Sequence, residues 1–381
     1  MLRAERAAGL IRAPLLFWRL AAEGRYDFSY DQMPIRCRGM SLRKRANLLR
    51  SGLNLVFRRA MPWSWPLHMQ FELANYCNLR CPVCPTGVRD LQRPAKAMPP
   101  ELFERVMSEV GPYLLTASLW GWGESLLNPH LAEILAIARR YPVVTLLSTN
   151  GQNLDRDSIV EAILAAPPCY LIVAIDGLTD ETNSRFRVGA RLAPALEGVR
   201  RIAALKRERK LRLPILHMRF IVMRHNEHEL EDAPVFAARH GFDMFTSRKL
   251  SIVESGPARQ AHPDLMPGIE QFRAGRLQES RKDFLCMQAF WYPSLYADGT
   301  VVLCEQDSAA TAPAGVVGPG SSFGEAWRSA RAAAIRRTIR DTPSEFSFCE
   351  NCPACDRAST DSSVVARFFT PGLADPLVVD G

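Results

Sequence analysis

Between residue 67 and about residue 250, short apolar runs alternate with stretches of helical periodicity. Runs of four to eight apolar residues are typical of buried strands, whereas apolar residues at i, i+3, i+4 and i+7 are typical of amphipathic helices. Strands that alternate with helices in this way predict a mostly parallel α/β sheet. The six predicted strands are LHMQFEL (67–73), YLLTASLW (113–120), PVVTLLS (142–148), YLIVAID (170–176), LHMRFIVM (216–223) and FDMFTSRKL (242–250).

The helical patterns between these strands have recognisable starts. Pro100 lies near the start of a helix predicted over 100–110, because proline suits the first turn of a helix. Asn128 and Pro129 are expected to be the N-cap and first residue of the next helix. Three further helical patterns follow, around 154–165, 193–208 and 227–240.

Residues 251–381, which follow the α/β region 67–250, divide into three parts. Residues 251–283 have scattered proline and glycine with weak periodicity, which indicates a connector. Residues 284–357 form a smaller unit in which Asp298-Gly299 predicts a hairpin turn between two strand-like runs. Residues 358–381 are expected to be a C-terminal tail.

The charge of the chain is concentrated in its first 66 residues, which form a basic N-terminal extension. That segment has thirteen Lys or Arg and four Asp or Glu, a net +9, whereas the whole 381-residue chain is +8. A nucleic-acid groove over the α/β region would need its cations there, so the sequence predicts no nucleic-acid partner. A composition of 47% hydrophobic and 23% charged residues is typical of globular proteins.

The extension contains an amphipathic pattern over residues 42–60. Apolar residues keep helical spacing and arginines fill the positions between them. Three interpretations stay open for residues 1–60: packing across the rest of the protein, contact with an anionic membrane, and binding of an acidic carrier or leader peptide. Residues 9–21 (GLIRAPLLFWRLA) are interrupted by arginines, and no run approaches the roughly 20 apolar residues of a membrane span. The expected location is the cytoplasm, with membrane association as an alternative.

Three cysteines occur within eight residues directly after the first predicted strand, in the stretch ELANYCNLRCPVCPTG. In a reducing compartment such spacing indicates metal ligands rather than disulfides. Three thiolates are one short of a structural zinc site, which takes four ligands. A [4Fe–4S] cluster has four irons, normally held by four cysteines. Three cysteines would therefore leave one iron open for a substrate.

The CxxxCxxC motif formed by Cys77, Cys81 and Cys84, after the first strand of a six-strand array, resembles the radical S-adenosylmethionine (SAM) superfamily. The resemblance implies a partial (β/α)6 barrel, similar to a TIM barrel, and makes these three residues the ligands of a [4Fe–4S] cluster. In that family the open iron binds the amino and carboxylate groups of SAM. An electron from a donor such as flavodoxin or ferredoxin cleaves SAM, and the resulting 5′-deoxyadenosyl radical removes a hydrogen atom from a substrate carbon.

Further segments resemble the SAM-binding motifs of the family. WGWGES matches the Gly-Gly-Glu motif at the end of the second strand, and STNG, AIDG and RFRVG follow in the expected order. Val83 and Ser125 depart from the aromatic residue and the proline that many members have there. The residues that the resemblance assigns to SAM are Gly121, Gly123, Glu124, Ser148, Asn150, Asp176 and Arg187.

A second group of cysteines lies in the 284–357 unit. Its order resembles the SPASM and twitch extensions of radical SAM enzymes, small C-terminal hairpin-and-helix domains that hold auxiliary clusters. One auxiliary [4Fe–4S] cluster fits the number of cysteines better than two. Cys286, Cys304, Cys349 and Cys352 are then the ligands, and Cys355 is a spare or substitute. A structural zinc site made of four cysteines is the alternative.

The expected cofactors are therefore two [4Fe–4S] clusters and SAM. The first functional hypothesis is a radical SAM oxidoreductase that passes the second electron to the auxiliary cluster while oxidising a carbohydrate-like or other small metabolite in a biosynthetic pathway. The second is a peptide-modifying maturase, and the third is a zinc-binding scaffold without catalysis. No catalytic acid or base can be assigned from the sequence.

Overall fold

The computed structural model describes residues 18–30, 32–57, 59–250, 262–272, 286–350, 352, 363–373 and 375–380. All six predicted strands are present in it. Five are shortened by one or more residues, and the fifth along the chain keeps its length but is shifted by one residue. The strands of the described residues are β1 (Tyr26–Tyr30), β2 (Met33–Arg38), β3 (His68–Phe71), β4 (Thr116–Leu119), β5 (Val144–Thr149), β6 (Tyr170–Ala174), β7 (Ile215–Val222), β8 (Met244–Lys249), β9 (Ser294–Leu295), β10 (Thr300–Val302), β11 (Pro313–Val316), β12 (Ser363–Phe368) and β13 (Leu377–Asp380).

Helices follow most of the barrel strands. The α-helices of the described residues are α1 (Leu42–Phe57), α2 (Pro100–Val110), α3 (Leu131–Ala138), α4 (Asp157–Ala165), α5 (Asp180–Phe186), α6 (Leu192–Glu208), α7 (Ala233–Arg239), α8 (Gln288–Trp291), α9 (Phe323–Trp327), α10 (Ala330–Asp341) and α11 (Ser347–Glu350). None of the helices in the described part of the chain has the length and apolar character needed to cross a membrane.

The central sheet has ten strands in the order β11-β10-β9-β3-β4-β5-β6-β7-β8-β12. Strands β3 to β8 are neighbours in chain order and pair in parallel, which confirms the predicted partial (β/α)6 barrel. Both edges of this six-strand array are covered, because β9 pairs with β3 and β12 pairs antiparallel with β8. The functional ends of parallel strands in such folds are their carboxyl ends.

The barrel strands are buried on both faces, so they read as continuous apolar runs rather than as alternating patterns. One face packs against the surrounding helices and includes Leu147, Leu171 and Met218. The other face packs against Met33 and Ile35 of β2, together with neighbours such as Leu146 and Ile172. The N-terminal extension therefore fills part of the barrel interior.

The C-terminal residues were expected to form a tail, but they add strands to two sheets. Strand β12 extends the barrel sheet, and β13 pairs in parallel with β2, placing Leu377 opposite Ile35. With β1, these strands form a separate three-stranded sheet in the order β1-β2-β13. Backbone pairing thus joins the beginning and the end of the chain, more than 300 residues apart in sequence.

Two predicted helices begin differently in the structure. Helix α3 starts at Leu131 with His130 as its N-cap residue, so the prediction of Asn128 as N-cap is wrong. The Asn128 side chain donates instead to the carbonyls of Leu73 and Met98, at 2.7 and 3.0 Å. The pattern predicted over 227–240 divides into a 3₁₀ turn (Glu227–Glu229) and the short helix α7.

Helix α1 packs on the protein mainly through polar side chains, with Leu48 as a buried apolar residue on the same face. Lys44, Asn47, Ser51 and Asn54 are buried, whereas most of the apolar stripe predicted from the sequence is exposed. The Lys44 ammonium donates to the carbonyl of Pro142 at 2.6 Å. Helix α1 therefore packs on the protein through its more polar face, whereas the apolar stripe lies outside.

The C-terminal unit is built around the predicted hairpin. Strands β9 and β10 pair antiparallel, and Gly299 has a φ of +92°, a conformation that glycine adopts without steric cost. Strand β11 and helices α9 and α10 pack behind this hairpin. Because β9 also pairs with β3, the hairpin continues the barrel sheet on the side where the three-cysteine segment begins.

Candidate active site

The three-cysteine segment lies in the connection that follows β3, at the carboxyl end of the strand. Cys77, Cys81 and Cys84 are each partly exposed, and none forms a disulfide. The backbone N–H of Leu79 donates to the Cys77 sulfur at 3.4 Å, and the N–H of Cys84 donates to the carbonyl of Cys81 at 3.3 Å. The chain therefore folds back on itself and presents all three thiols from one loop.

Glu124 is the buried centre of the site. Its carboxylate accepts from the backbone N–H of Leu126 (3.0 Å) and of Asn150 (2.8 Å), and from the hydroxyl of Thr149 (2.6 Å). Burial raises the pKa of this carboxyl group, while the three hydrogen bonds favour the ionised form and lower the pKa. Glu124 therefore fixes the loop after β4 to the end of β5.

Asn150 connects that carboxylate to the cysteine loop. Its side-chain amide donates to the Asn78 oxygen at 2.8 Å and to the Cys77 sulfur at 3.6 Å. Ser148, two residues earlier on β5, is partly exposed. The structure thus brings two of the predicted SAM-site residues, Glu124 and Asn150, into one network with the first predicted cluster ligand.

Asp176 and Arg187 form an ion pair on the other side of the loop. The Arg187 Nε atom lies 2.7 Å from the Asp176 carboxylate, and the side chains are 11% and 0% exposed. Asp176 also accepts from the backbone N–H of Ile221 at 2.7 Å. Asp176 is therefore fully buried, and its carboxylate positions Arg187, which interacts electrostatically with the Cys81 thiol.

The glycines of WGWGES allow two segments of the protein to approach each other closely. A Cβ atom on Gly123 would lie 2.7 Å from the backbone N and O of Tyr76, and one on Gly121 would lie 2.6 Å from the Glu72 side chain. In the structure, the groups that require glycine belong to the chain leading into the cysteine loop.

Burial raises the pKa of two thiols of the loop, those of Cys77 and Cys81. It raises the pKa of Cys81 to about 12, with Arg187 acting in the opposite direction. Thiolate, not thiol, is the form that binds a metal. Binding of iron at this loop would therefore displace protons from the buried thiols.

Some residues of the site were missed by the sequence argument. Thr149 was passed over in favour of its neighbours in STNG, although it donates to Glu124. Asn78 directly follows Cys77, and this position next to a predicted ligand is the only sequence feature that could have indicated its role in the site. Asn226 donates to the carbonyls of Asp176 and Ile221, and no sequence motif indicates this role.

A cleft of about 760 Å³ opens beside the cysteine loop. A cleft of this size lies within the range of small-molecule sites. Arg80 and Arg89 lie in its walls, and their charges suit an anionic group on a bound molecule. The lining includes Tyr76, Cys77, Asn78, Arg80, Arg89 and Arg93.

The predicted auxiliary cysteines are also brought together. Cys304 interacts electrostatically with Cys286, Cys349 and Cys352, and burial raises the pKa of its thiol well above the ordinary value. Burial raises the pKa of Cys286 to about 11. Four cysteines from three separate segments of the C-terminal unit therefore lie close enough to interact electrostatically. Cys355, the predicted substitute ligand, lies outside the described residues.

The donor sets fit iron–sulfur clusters in kind and number. One loop offers three thiols beside an arginine, and the C-terminal unit offers four thiols. Among the described residues, no three His, Cys, Asp or Glu side chains have the arrangement needed for a single metal ion. A four-iron cluster makes a different demand, because each thiolate binds its own iron and the sulfurs stay farther apart.

Comparison with known proteins shows that the barrel is similar to one family. The family profile of the radical SAM superfamily matches residues 71–234. The chain is 27% identical over 211 residues to "Mycofactocin maturase MftC" of Mycobacterium ulcerans, covering 54% of this chain and 53% of that protein. It is 26% identical over 163 residues to "PqqA peptide cyclase" of Gluconobacter oxydans, covering 42% and 43%. The chain thus spans about half the length of these curated relatives, or less.

Solved structures share the fold over a larger part of the chain. The crystal structure of Streptococcus suis SuiB bound to S-adenosylmethionine matches with a TM-score of 0.57 at 13% identity, covering 92% of this chain and 84% of SuiB. SuiB bound to the precursor peptide SuiA matches with a TM-score of 0.56 at 13% identity, covering 82% and 77%. At this identity the likeness shows a shared fold.

Proposed function

The chain belongs to the radical SAM superfamily through residues 71–234, and on that premise we propose that it is an enzyme that uses SAM and a [4Fe–4S] cluster to modify a peptide substrate. The observation that carries this proposal is the network at the carboxyl ends of β3 to β6. There the structure joins Cys77 to Glu124 through Asn150, and Arg187 acts on Cys81. When bound, the cluster with SAM supplies a 5′-deoxyadenosyl radical.

We assign the roles of the protein's own residues as follows. Cys77, Cys81 and Cys84 hold the cluster by their thiolates. Arg187 is the guanidinium best placed to pair with the SAM carboxylate, because a planar guanidinium binds a carboxylate through two parallel hydrogen bonds. Asp176 neutralises and orients that arginine from the buried side.

Glu124 and Asn150 hold the ends of β4 and β5 and the start of the cysteine loop together. The Glu124 carboxylate already accepts three hydrogen bonds, and its pKa is raised by burial, so its main task is to hold the strand ends in register. The remaining capacity of the carboxylate can accept from the SAM amino group. The Asn150 amide orients Asn78 and Cys77, so a change at Asn150 should disturb the cysteine loop.

The peptide class rests on the similar proteins. One curated relative is a peptide cyclase, and SuiB, which has the same fold, was crystallised with a precursor peptide. We propose that this chain likewise acts on a peptide, and that the cleft beside the cysteine loop receives it. An external one-electron donor of the flavodoxin or ferredoxin type would provide the reducing electron.

The C-terminal thiols support a second metal centre. Cys286, Cys304, Cys349 and Cys352 interact with one another and come from three segments, which suits a fully ligated auxiliary [4Fe–4S] cluster. A centre without an open iron suits electron transfer better than substrate binding. This observation also keeps oxidation of a small metabolite as the second candidate function, because such a centre can accept the second electron of an oxidation.

Anaerobic reconstitution tests the proposed cofactors. We expect about eight irons per chain, and about four in either the Cys81→Ala or the Cys304→Ala variant. Only Cys81→Ala should abolish the formation of 5′-deoxyadenosine from SAM in the presence of dithionite. Cys169→Ala, which removes a buried thiol distant in sequence from both groups, is the matched control and should retain both clusters. A colourless protein that binds zinc instead would refute the proposal.

The substrate class is tested with the reconstituted wild-type enzyme. An extract of the source cells is separated by ultrafiltration into a peptide fraction and a small-metabolite fraction. We expect the peptide fraction to accelerate the formation of 5′-deoxyadenosine and to contain a peptide whose mass changes. Acceleration confined to the small-metabolite fraction would support the second candidate.

A further inference from the structure

Helix α1 presents two opposite faces, and the face turned outwards is the apolar one. At 3.6 residues per turn, Leu42, Leu53, Val56 and Phe57 fall on one side, and the buried Asn47 falls on the other. The exposed fractions are 78% for Leu42, 47% for Leu53, 74% for Val56 and 61% for Phe57. Surface helices normally bury the apolar stripe and expose the polar one.

The polar face is held firmly, so the orientation of the helix is well determined. Asn47 accepts from the backbone N–H of Trp65 at 2.8 Å, and its amide donates to the carbonyl of the same residue at 3.3 Å. Asn54 accepts from the N–H of Trp63 at 2.9 Å and donates to the Ser64 hydroxyl at 2.7 Å. Rotating the apolar stripe inwards would break these buried hydrogen bonds and that of Lys44.

Aromatic and cationic side chains extend the exposed stripe. Trp63 is 44% exposed, its ring centroid lies 5.9 Å from that of Phe57, and the Arg59 guanidinium lies 4.1 Å from its ring centroid. Arg43 and Arg50 are exposed on the same helix. The name "α1 stripe" is used below for Leu42, Leu53, Val56, Phe57 and Trp63.

The segment of sequence that contains the α1 stripe has charges of a single sign. Residues 32–71 contain eight Lys or Arg and no Asp or Glu. A second copy of this chain would bring the same cations to the contact, and residues 1–17 also have a net positive charge. Charge complementarity therefore favours an anionic partner over either of these occupants.

The shape and chemistry of the α1 stripe fit some anionic partners better than others. A nucleic acid would leave the leucine, valine and phenylalanine side chains against phosphates. A peptide that docks through apolar side chains normally requires a groove, whereas the α1 stripe is one convex side of a helix. A helix with Leu, Val, Phe and Trp on one side and arginines beside them matches the interfacial helices that lie in lipid headgroups.

We propose that the α1 stripe is a membrane-docking surface that inserts into the headgroup region of an anionic lipid bilayer, with Arg43, Arg50 and Arg59 facing the lipid phosphates. The barrel would then sit on the bilayer through its N-terminal extension. This proposal depends only on helix α1 and the segment after it, so it stands apart from the cofactors and the substrate.

Vesicle co-sedimentation of the full-length protein tests the proposal. One set of vesicles contains phosphatidylcholine alone, and the other contains equal parts of phosphatidylcholine and phosphatidylglycerol. We expect binding to the anionic vesicles that weakens in high salt. The Leu53→Ser/Val56→Ser/Phe57→Ser variant should lose about tenfold or more in affinity. Its urea unfolding should match that of the wild type, because the three side chains are exposed.

Matched controls separate docking from general surface effects. Val235, Val316 and Val378 are also exposed, and their triple serine variant should bind vesicles as the wild type does. Arg43→Gln/Arg50→Gln should lose about fivefold per arginine for anionic vesicles, whereas Arg105→Gln/Arg337→Gln should lose little. Arg105 and Arg337 are exposed on other helices.

Three results would overturn the proposal. The first is a wild-type protein that does not sediment with anionic vesicles. The second is an equal loss of binding in the stripe variant and in the valine control. The third is a wild-type dimer in sedimentation equilibrium that the stripe variant converts to a monomer, since the stripe would then be a contact between copies of the chain.

Discussion

At the scale of single residues, the site depends on buried polar groups that are almost fully hydrogen-bonded. Glu124 caps the 3₁₀ turn Ser125–Leu127, whose Leu126 N–H donates to it, and it also receives donors from the consecutive residues Thr149 and Asn150. A buried carboxylate that loses one such donor bears the cost of desolvation without compensation. The hydroxyl of Thr149 is therefore as much a part of the site as the residues named by the family motifs.

Replacing Thr149 with valine tests this conclusion. Valine keeps the shape of threonine but removes the 2.6 Å hydrogen bond to Glu124. We expect a loss of about 1–3 kcal/mol in the free energy of unfolding in urea and weaker binding of SAM. Thr182→Val, at a partly exposed position in the first turn of α5, is the control and should leave SAM binding unchanged. Equal SAM affinities in wild type and Thr149→Val would contradict the role given to this residue.

A second residue-scale prediction concerns His68, the first residue of β3. Burial lowers the pKa of His68 to about 4 from an ordinary 6.5, and its Nδ1 atom lies 2.8 Å from the Thr116 hydroxyl. The histidine binds a proton more readily in the unfolded chain than in the folded one. The stabilisation that depends on a neutral His68 is therefore complete above pH 6.5 and is lost as the pH falls towards 4. In His68→Gln, the stability difference from the wild type should change across this interval, as measured by urea unfolding at several pH values. If the difference in the free energy of unfolding between the two proteins is the same at every pH, this prediction is refuted.

The residues of the site were predictable to different degrees. The three cysteines of the loop form a spacing that chance rarely produces, and the structure presents them from one loop. Asp176 was expected to contact SAM, but its carboxylate is buried against Arg187, and only the folding of the chain after β6 reveals that. Asn226 acts from 50 residues away in sequence, which no local pattern can indicate.

At the scale of elements, periodicity predicts that a helix exists but not always which face is buried. The apolar spacing over residues 42–60 predicted α1, which spans 42–57. The buried side is decided by specific partners, because Asn47 and Asn54 hydrogen-bond to the segment 63–65. Those hydrogen bonds depend on tertiary geometry, so the sequence pattern alone could not indicate which face is buried.

Two helical glycines should respond in opposite ways to alanine. A Cβ atom on Gly52 in α1 would meet nothing within 4 Å, so Gly52→Ala should raise the free energy of unfolding by about 0.5–1 kcal/mol. A Cβ atom on Gly198 in α6 would overlap Leu154, so Gly198→Ala should lower it by about 1–3 kcal/mol. Urea unfolding of both variants measures the two changes. Destabilisation by Gly52→Ala would show that α1 packs more closely than described.

At the scale of the whole molecule, long-range connections close the fold. Strands β12 and β13 pair with β8 and β2, and neither pairing could be predicted, because an isolated short strand contains no information about its partner. The hairpin that carries Cys304 pairs with β3, so the two cysteine groups belong to one sheet. The predicted separation of the chain into a barrel and a small C-terminal unit thus understates how closely the two are joined.

A buried ion pair lies at this junction. Arg93 donates to both oxygens of Glu72, at 2.8 and 2.6 Å, and the side chains are 5% and 0% exposed. Arg93 also donates to the carbonyl of Ser308 at 2.7 Å and stacks on Tyr296, while Glu72 accepts from the backbone N–H of Ala297. The pair therefore fastens the start of the cysteine loop to the hairpin unit.

Removing one partner should loosen both cysteine groups at once. We expect Arg93→Met or Glu72→Gln to lower the free energy of unfolding by about 3–5 kcal/mol, because each leaves a buried charge or polar group uncompensated. The double variant should cost less than the sum of the two single variants. Hydrogen exchange should accelerate both in residues 77–93 and in residues 294–308, since one contact holds the two segments together.

Arg209→Met is the matched control, because Arg209 binds Glu161 with the same two-bond geometry at 2.9 and 2.8 Å but on the surface. Its cost should stay within about 1 kcal/mol. Faster exchange in the cysteine loop alone would mean that the hairpin is held by β9 and β3, and that the ion pair plays no part in joining the two units.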